Sequence, residues 1–255
     1  MDIQMENSDI KFDIVTYCSE SYMSAYEKNV PSWIHNSSVN KIIIYTDCSI
    51  EKFDAVKSDK ITIISLFTEC DDWVSNIGRK TKCILDYLDK KPAGYFAFIE
   101  IDCYVVCDFT EVFSTDTDLA VTRIFSTESY THATITCGVW FARSSSRLKL
   151  FMEKWHTQSK KYKELGIGVL PKMIAYDQLS FTDLVRPAFV NQTIKVKSLD
   201  ERIYNCEHSK VDKLLEIIKK NKPKIIHFKG QKFRDEEYVN TILQAVNISH
   251  DKKDD

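Results

Sequence analysis

The feature that most limits what this chain can fold into is a recurrence of short runs rich in β-branched and aromatic residues, separated by helical patterns. Lys11–Tyr17, Lys41–Thr46, Ile61–Leu66 and Tyr95–Ile101 are the first four such runs, and each reads as a strand. The second and third are apolar nearly throughout, which predicts burial on both faces. Ser21–Trp33 has the mixed polarity of a surface helix. Ile77, Ile84, Leu85 and Leu88 recur at helical spacing until Pro92 and Gly94 end the pattern.

Farther along, Leu119–Arg123 and Thr134–Ala142 read as strands and Ser145–Tyr162 as a helix. A short helix over Asp177–Leu184, another over Val211–Asn221 and a last strand over Lys224–Phe228 complete the order. Strand-helix alternation of this kind predicts an α/β fold, with a mostly parallel central sheet carrying helices on both faces. The ligand crevice of such a sheet lies beyond the carboxyl ends of its strands. With no internal repeat and no low-complexity linker, one domain is expected over residues 11–248, with a frayed segment at 1–10 and a polar tail at 249–255.

The 255 residues are 44% hydrophobic, enough for one sizeable core. Lys and Arg number 35 against 37 Asp and Glu, so the net charge of -2 argues against nonspecific binding to nucleic acid or an anionic membrane. Apolar stretches are too short to cross a bilayer, and Met1–Asp9 lacks the pattern of a secretory signal, so a cytoplasmic location is expected. The eight cysteines include no CxxC pair and read as buried reduced thiols. The triplets beginning at Asn36, Asn191 and Asn247 then read as chance matches to a glycosylation signal.

Four clusters carry chemistry. In Phe98-Ile99-Glu100-Ile101-Asp102 a strand ends in two carboxylates one residue apart, on the same side of an extended chain. They could hold one hard divalent cation, or a cation and a ribose hydroxyl, or merely begin a solvated loop. In Ile225 to Lys232 another strand runs into His227, a metal ligand or a structural histidine. Gly230 would permit close approach of an anion, and Lys232 or Lys229 would supply charge for phosphate oxygens. Arg79, Lys80 and Lys82 fall at the expected start of a helix, where positive charge opposes the dipole and an anion is anticipated. Gly138 lies inside a strand, a mark of close approach, and Asp177-Gln178 opens a helix from which both side chains could face a cleft, although an ordinary cap explains Asp177 equally well.

Taken in order, these segments resemble the GT-A-fold glycosyltransferases that use nucleotide-diphosphate sugars, in particular the retaining, family-eight-like group. FIEIDCYVVCDFTEVF is similar to the family's strand ending in a DxD triplet, TCGVWFARS to its small-residue-glycine strand, YDQLSF to its Asp-Gln segment and IIHFKGQKF to its His-x-x-Gly-x-Lys segment. Glu100 stands where the first Asp is usual, Cys137 where Asn or Ser precedes the glycine, and Lys232-Phe233-Arg234 replaces Lys-Pro-Trp.

The resemblance implies Glu100, Asp102 and His227 as ligands of Mn2+ or Mg2+, with Glu100 nearer the ribose, and Gly230 and Lys232 on the diphosphate. It also implies Lys80 and Arg79 at phosphate or donor sugar, Thr16, Tyr17 and Asp47 at the nucleoside, and Asp177 and Gln178 as the catalytic pair. The expected donor is a UDP-sugar, or a GDP-sugar, and the acceptor a glycan or other hydroxyl. Lid segments are expected among Thr68–Asn76, Ser126–Thr131 and Gly166–Lys172. The rival readings are a catalytically silent binding module and a sugar nucleotidyltransferase. The latter needs a glycine-rich loop after the first strand, where this chain has Tyr17-Cys18-Ser19-Glu20-Ser21; dehydrogenase and P-loop readings fail on the same shortage of glycine.

Overall fold

The computed structural model describes residues 10–66, 73–90, 92, 94–114, 116–123, 135–167, 175–208, 210–229 and 234–251. Its main sheet has the strand order β3-β2-β1-β4-β7-β6-β8. These strands are β1 (Phe12–Cys18), β2 (Val39–Thr46), β3 (Ile61–Ser65), β4 (Tyr95–Ile99), β6 (Leu119–Arg123), β7 (Ile135–Arg143) and β8 (Val196–Asp200). Pairing is parallel from β3 through β4 and between β6 and β8, and antiparallel where β7 meets β4 and β6. The α/β architecture with a mostly parallel sheet is as expected.

Helices cover both faces. On one lie α1 (Met23–His35), α6 (Val211–Asn221) and α7 (Glu236–Asp251), and on the other α2 (Trp73–Asp89), α3 (Ser146–Glu164) and α4 (Tyr176–Asn191); α5 (Glu201–Tyr204) is a single turn. The period of two along the strands divides the core accordingly. Ile14, Ala97 and Ile99 pack with Tyr26, Trp33 and Ile242, whereas Val15, Phe96 and Phe98 pack with Leu148, Trp155 and Phe181. None of the described helices is long and apolar enough to cross a membrane.

Some elements depart from expectation. β3 is an edge strand, half-buried or exposed along its length, because only β2 pairs with it. The helix expected to stop at Leu184 continues to Asn191 through Pro187, since Val185 and Ala188 are buried against the sheet and packing outweighs the proline. Ile225–His227 (β9) does not join the main sheet; it pairs antiparallel with β5 (Cys103–Val105) in a separate two-stranded ladder. The terminal segment 1–9 and most of the expected lid segments lie outside the described residues.

The β5 segment is held from the side by α1. Asn29 Nδ2 donates to the Ile101 carbonyl at 3.0 Å, Trp33 Nε1 to the Cys103 carbonyl at 3.0 Å, and the Val105 N–H to Ser32 Oγ at 3.0 Å. Residues 29, 32 and 33 share one helix face, so one side of α1 grips alternate residues of the extended chain. Trp140, also fully buried, has no hydrogen-bond partner for its Nε1 among the described residues. Trp33→Phe is therefore expected to lower unfolding free energy by about 1–2 kcal/mol more than Trp140→Phe, because only the former strands a buried carbonyl. Urea denaturation of the two variants measures the difference, and equal losses would contradict the clamp.

Candidate functional site

Glu100 follows the last residue of β4 and Asp102 sits in the turn leading to β5. The Glu100 N–H donates to the Gly138 carbonyl at 2.9 Å and the Cys103 N–H to the Glu100 carbonyl at 3.0 Å, closing the turn. Antiparallel pairing sets Cys103 opposite His227, and the Phe228 N–H donates to the Asp102 carbonyl at 2.9 Å. The imidazole consequently enters the space beside both carboxylates. His227 Nε2 lies 3.3 Å from Asp102 Oδ1 and 3.3 Å from Glu100 Oε2.

Gly138 makes this approach possible. A Cβ at that position would stand 2.5 Å from Glu100 Oε2 and 3.3 Å from His227 Cε1, inside van der Waals contact with both. The β6–β7 ladder slips register between Val121 and Arg123. Across the slip the inward alternation of β7 changes parity, with Cys137 and Trp140 in one core cluster and Val139 and Phe141 in the other. A bulge beside the site thus turns Cys137 one way and opens Gly138 to the carboxylates.

Lys80 bridges the site to α4. Its Nζ forms ion pairs with Glu100 and, at 2.8 Å, with Asp177 Oδ2, and Cys137 Sγ lies 3.3 Å from the same Asp177 oxygen. Asp177 Oδ1 accepts the Gln178 N–H at 2.8 Å, leaving the half-buried Gln178 side chain at the head of α4. The helix carrying Lys80 begins at Trp73, so Arg79 and Lys80 lie beyond its first turn and the expected opposition to the dipole does not arise. Lys82, on the same helix, is exposed.

Tyr17, Asp47 and Arg79 form a second cluster at the ends of β1 and β2. Arg79 donates to Asp47 Oδ2 at 2.6 Å and to the Tyr17 hydroxyl at 2.7 Å, and the Tyr17 hydroxyl donates to Asp47 Oδ2 at 3.0 Å. Thr16 stands apart: it is fully buried within β1, and its Oγ1 has no partner among the described residues. Gly230 and Lys232 lie outside the described residues.

Electrostatics bind the first cluster together. Burial opposes ionisation of Glu100, but Lys80 and His227 outweigh it and bring the carboxyl down to about 2. Burial likewise opposes the Lys80 ammonium, and Asp177 and Glu100 override it, raising the group well above the ordinary lysine value. Burial raises Asp102, with His227 acting against the shift. Burial also works against the His227 imidazolium, yet Asp102, then Glu207 and Glu100, raise it to about 9.

The residues fit a divalent cation. Asp102, Cys103 and His227 have potential ligand atoms within 4.8 Å of one another. Burial, with Asp102 and Glu100 nearby, holds the Cys103 thiol well above its usual pKa. A protonated thiol is a poor ligand for a hard ion, so Glu100, in contact with the same imidazole nitrogen, is the better third donor. The cradle that Gly138 leaves open belongs to that donor set.

Sequence reasoning missed Asn205 and Glu207, which reach the far side of the imidazole: His227 Nδ1 lies 3.0 Å from Asn205 Oδ1 and 3.3 Å from Glu207 Oε2. It also missed Tyr22, whose hydroxyl is raised by burial and then by Asp102 and Glu100. Neither the loop after a four-residue helix nor a 3-10 turn carries a periodic signal that would have found them.

Two outcomes test this geometry. Gly138→Ala is expected to leave the protein folded and weaken Mn2+ binding by about tenfold or more, read from the free-ion EPR signal; unchanged affinity would contradict the cradle. In the presence of a chelator, the raised His227 pKa contributes stability fully below 6.5, and that contribution is lost as pH rises through about 9. The groups facing the ring are Asp102, Glu100 and Glu207, with Lys80 and Lys229 paired to the two glutamates. His227→Gln should flatten the melting-temperature decline over that interval, and an identical decline in both proteins would show that another group causes it.

A family model described as nucleotide-diphospho-sugar transferase matches residues 73–238. No curated protein sequence matches the chain. Among solved structures, a glycosyltransferase involved in the glycosylation of the major capsid of PBCV-1 aligns with a TM-score of 0.60 at 15% identity. The alignment covers 90% of this chain and 99% of that one. At that identity the likeness concerns the fold, which is GT-A-like.

Proposed function

The chain belongs to the nucleotide-diphospho-sugar transferase family, and from that premise we propose that it is a metal-dependent glycosyltransferase moving a sugar from a nucleotide-diphosphate donor to a hydroxyl acceptor. The observation carrying this reading is the meeting of Glu100, Asp102 and His227 Nε2, with Lys80 linking that cluster to Asp177. Glu100, Asp102 and His227 would hold Mn2+ or Mg2+, which when bound supplies positive charge for the departing diphosphate.

The chain's own residues account for the rest. Lys80 brings a fixed ammonium into a buried place, where charge pairs count for more than in water: about 4 kcal/mol at 4 Å for an effective dielectric of 20, against about 1 in bulk. Its present partners, Glu100 and Asp177, keep it charged and aimed between the cation cluster and α4 until donor oxygens compete for it. Tyr17 and Asp47, locked by Arg79, form a rigid floor at the ends of β1 and β2 on which a nucleoside is proposed to rest. That geometry favours assigning the phosphates to Lys80 and leaving Arg79 to hold the floor. Gly230 and Lys232 keep their proposed place at the diphosphate.

Asp177 and Gln178 are the proposed catalytic pair at the transferred sugar. Asp177 already accepts from Lys80, the Cys137 thiol and the Gln178 N–H. A carboxylate so engaged suits holding a sugar hydroxyl better than taking the acceptor proton, which supports retention through a front-face route aided by Gln178. The donor is proposed to be a UDP-sugar, with GDP-sugar as the other choice, and the acceptor a glycan.

Thermal unfolding with UDP-, GDP- and dTDP-linked sugars, with and without Mn2+, identifies the donor, since a ligand at 100 times its dissociation constant adds about 2.7 kcal/mol. With that donor, release of nucleotide diphosphate should require the metal and fall about 100-fold or more in Asp102→Asn, with the fold retained. Donor binding without turnover would identify a silent module, and an unimpaired Asp102→Asn would refute the metal assignment.

A further inference from the structure

Segment 205–207 runs alongside β9, with the His227 N–H donating to the Cys206 carbonyl at 2.9 Å and the Cys206 N–H to the Ile225 carbonyl at 2.9 Å. Cys206 turns into the core, so Asn205 and Glu207 both face His227. Asn205 belongs at the same time to a buried chain of hydrogen bonds that has a single consistent direction. A backbone carbonyl cannot donate, so the 3.0 Å contact between Thr122 Oγ1 and the Val139 carbonyl uses the Thr122 proton. Thr122 Oγ1 must then accept from Thr136 Oγ1, 2.6 Å away. With its own proton spent, Thr136 Oγ1 can only accept, and it does so from Asn205 Nδ2 at 3.2 Å.

The amide is thereby fixed with Oδ1 toward the imidazole, where it too can only accept. Thr122 and Asn205 are at most 1% exposed, Thr136 5% and His227 6%, so solvent is poorly placed to reverse any link. Glu207 Oε2, 3.3 Å from the same ring nitrogen, also favours a proton there, whereas Asp102 Oδ1 and Glu100 Oε2, each 3.3 Å from Nε2, favour one on the opposite nitrogen, so the orientation of the Asn205 amide decides the balance.

From this directional chain we infer that Asn205, anchored through Thr136 and Thr122 to the Val139 carbonyl, sets the tautomer of His227, keeping the proton on Nδ1 and the lone pair of the neutral ring on Nε2. Asn205 is a positioning residue: it touches neither cation nor substrate, and it presents the nitrogen that faces Asp102 and Glu100 as a ready donor. The consequence for metal binding rests on the proposed cation site, whereas the tautomer itself does not. Without the anchor the amide could rotate, offer Nδ2 to the ring and turn the proton to the wrong nitrogen.

The test reads both parts separately. In metal-free, 15N-labelled protein at a pH high enough for a neutral ring, two-bond 1H–15N spectra, assigned against His227→Gln, should show His227 in the Nδ1–H form. Thr136→Val, nearly isosteric but unable to accept, should give a mixture of tautomers, and Thr136→Ser should restore the single form. By free-ion EPR, Asn205→Ala and Thr136→Val should bind Mn2+ about 10–100-fold more weakly than the parent, and Thr136→Ser within a few-fold of it.

An Nε2–H ring in the parent would overturn the inference, as would a single Nδ1–H form in Thr136→Val together with unchanged Mn2+ affinity. A parent with the Nδ1–H form that binds no Mn2+ would support the tautomer assignment while refuting the metal reading on which its purpose rests. Should Asn205→Ala fail to fold, the two Thr136 variants carry the same comparison.

Discussion

The interaction on which the rest of this structure depends is the short ladder between β5 and β9. It joins residues more than a hundred positions apart in the chain and does so outside the main sheet. A two-stranded ladder of three residues has little stability alone. Here the side chains of Asn29, Ser32 and Trp33 fix one edge, and the Cys206 bridge fixes the other. The turn bearing Asp102 and the strand end bearing His227 are therefore held by backbone hydrogen bonds and a packed helix, and their side chains inherit that rigidity.

Rigidity has an electrostatic counterpart. Glu100, Asp102 and Asp177 meet in a largely buried place, with Lys80 and the His227 imidazolium as their counter-charges. Each buried charge would be costly by itself, and each lowers the cost of its neighbours. A network of this kind is poised for exchange: a cation at His227 Nε2 can replace a proton there, and phosphate oxygens can draw the ammonium of Lys80 away from its carboxylates. Under the proposed function, the assembly would serve as a preorganised receptor for a metal and an anion.

Much of the fold was legible from period and punctuation. The runs at β1, β2, β4, β6 and β7 had enough β-branched and aromatic residues to stand out, and Val211–Asn221 matched its helix at both ends. β8 was missed because Val196–Asp200 is an edge strand whose two exposed polar residues, Lys197 and Ser198, are adjacent and break the period of two, and β5 because three residues are too few to show a period. Pro187 concealed the second half of α4. In the site, Glu100, Asp102 and His227 could be named as strand-end residues, and their meeting follows from a pairing of β9 with β5 that no local pattern encodes. Asn205 was beyond reach for the same reason: its role exists only through contacts with Thr136 and His227, distant in sequence.

The central claim is that one divalent ion binds between the turn after β4 and the end of β9. Anomalous diffraction at the manganese edge from crystals grown with Mn2+ tests it most directly. A single strong peak is expected, touching an Asp102 carboxylate oxygen and His227 Nε2 and lost in a crystal of Asp102→Asn. A peak elsewhere, or an ordered site without one at saturating Mn2+, would contradict it.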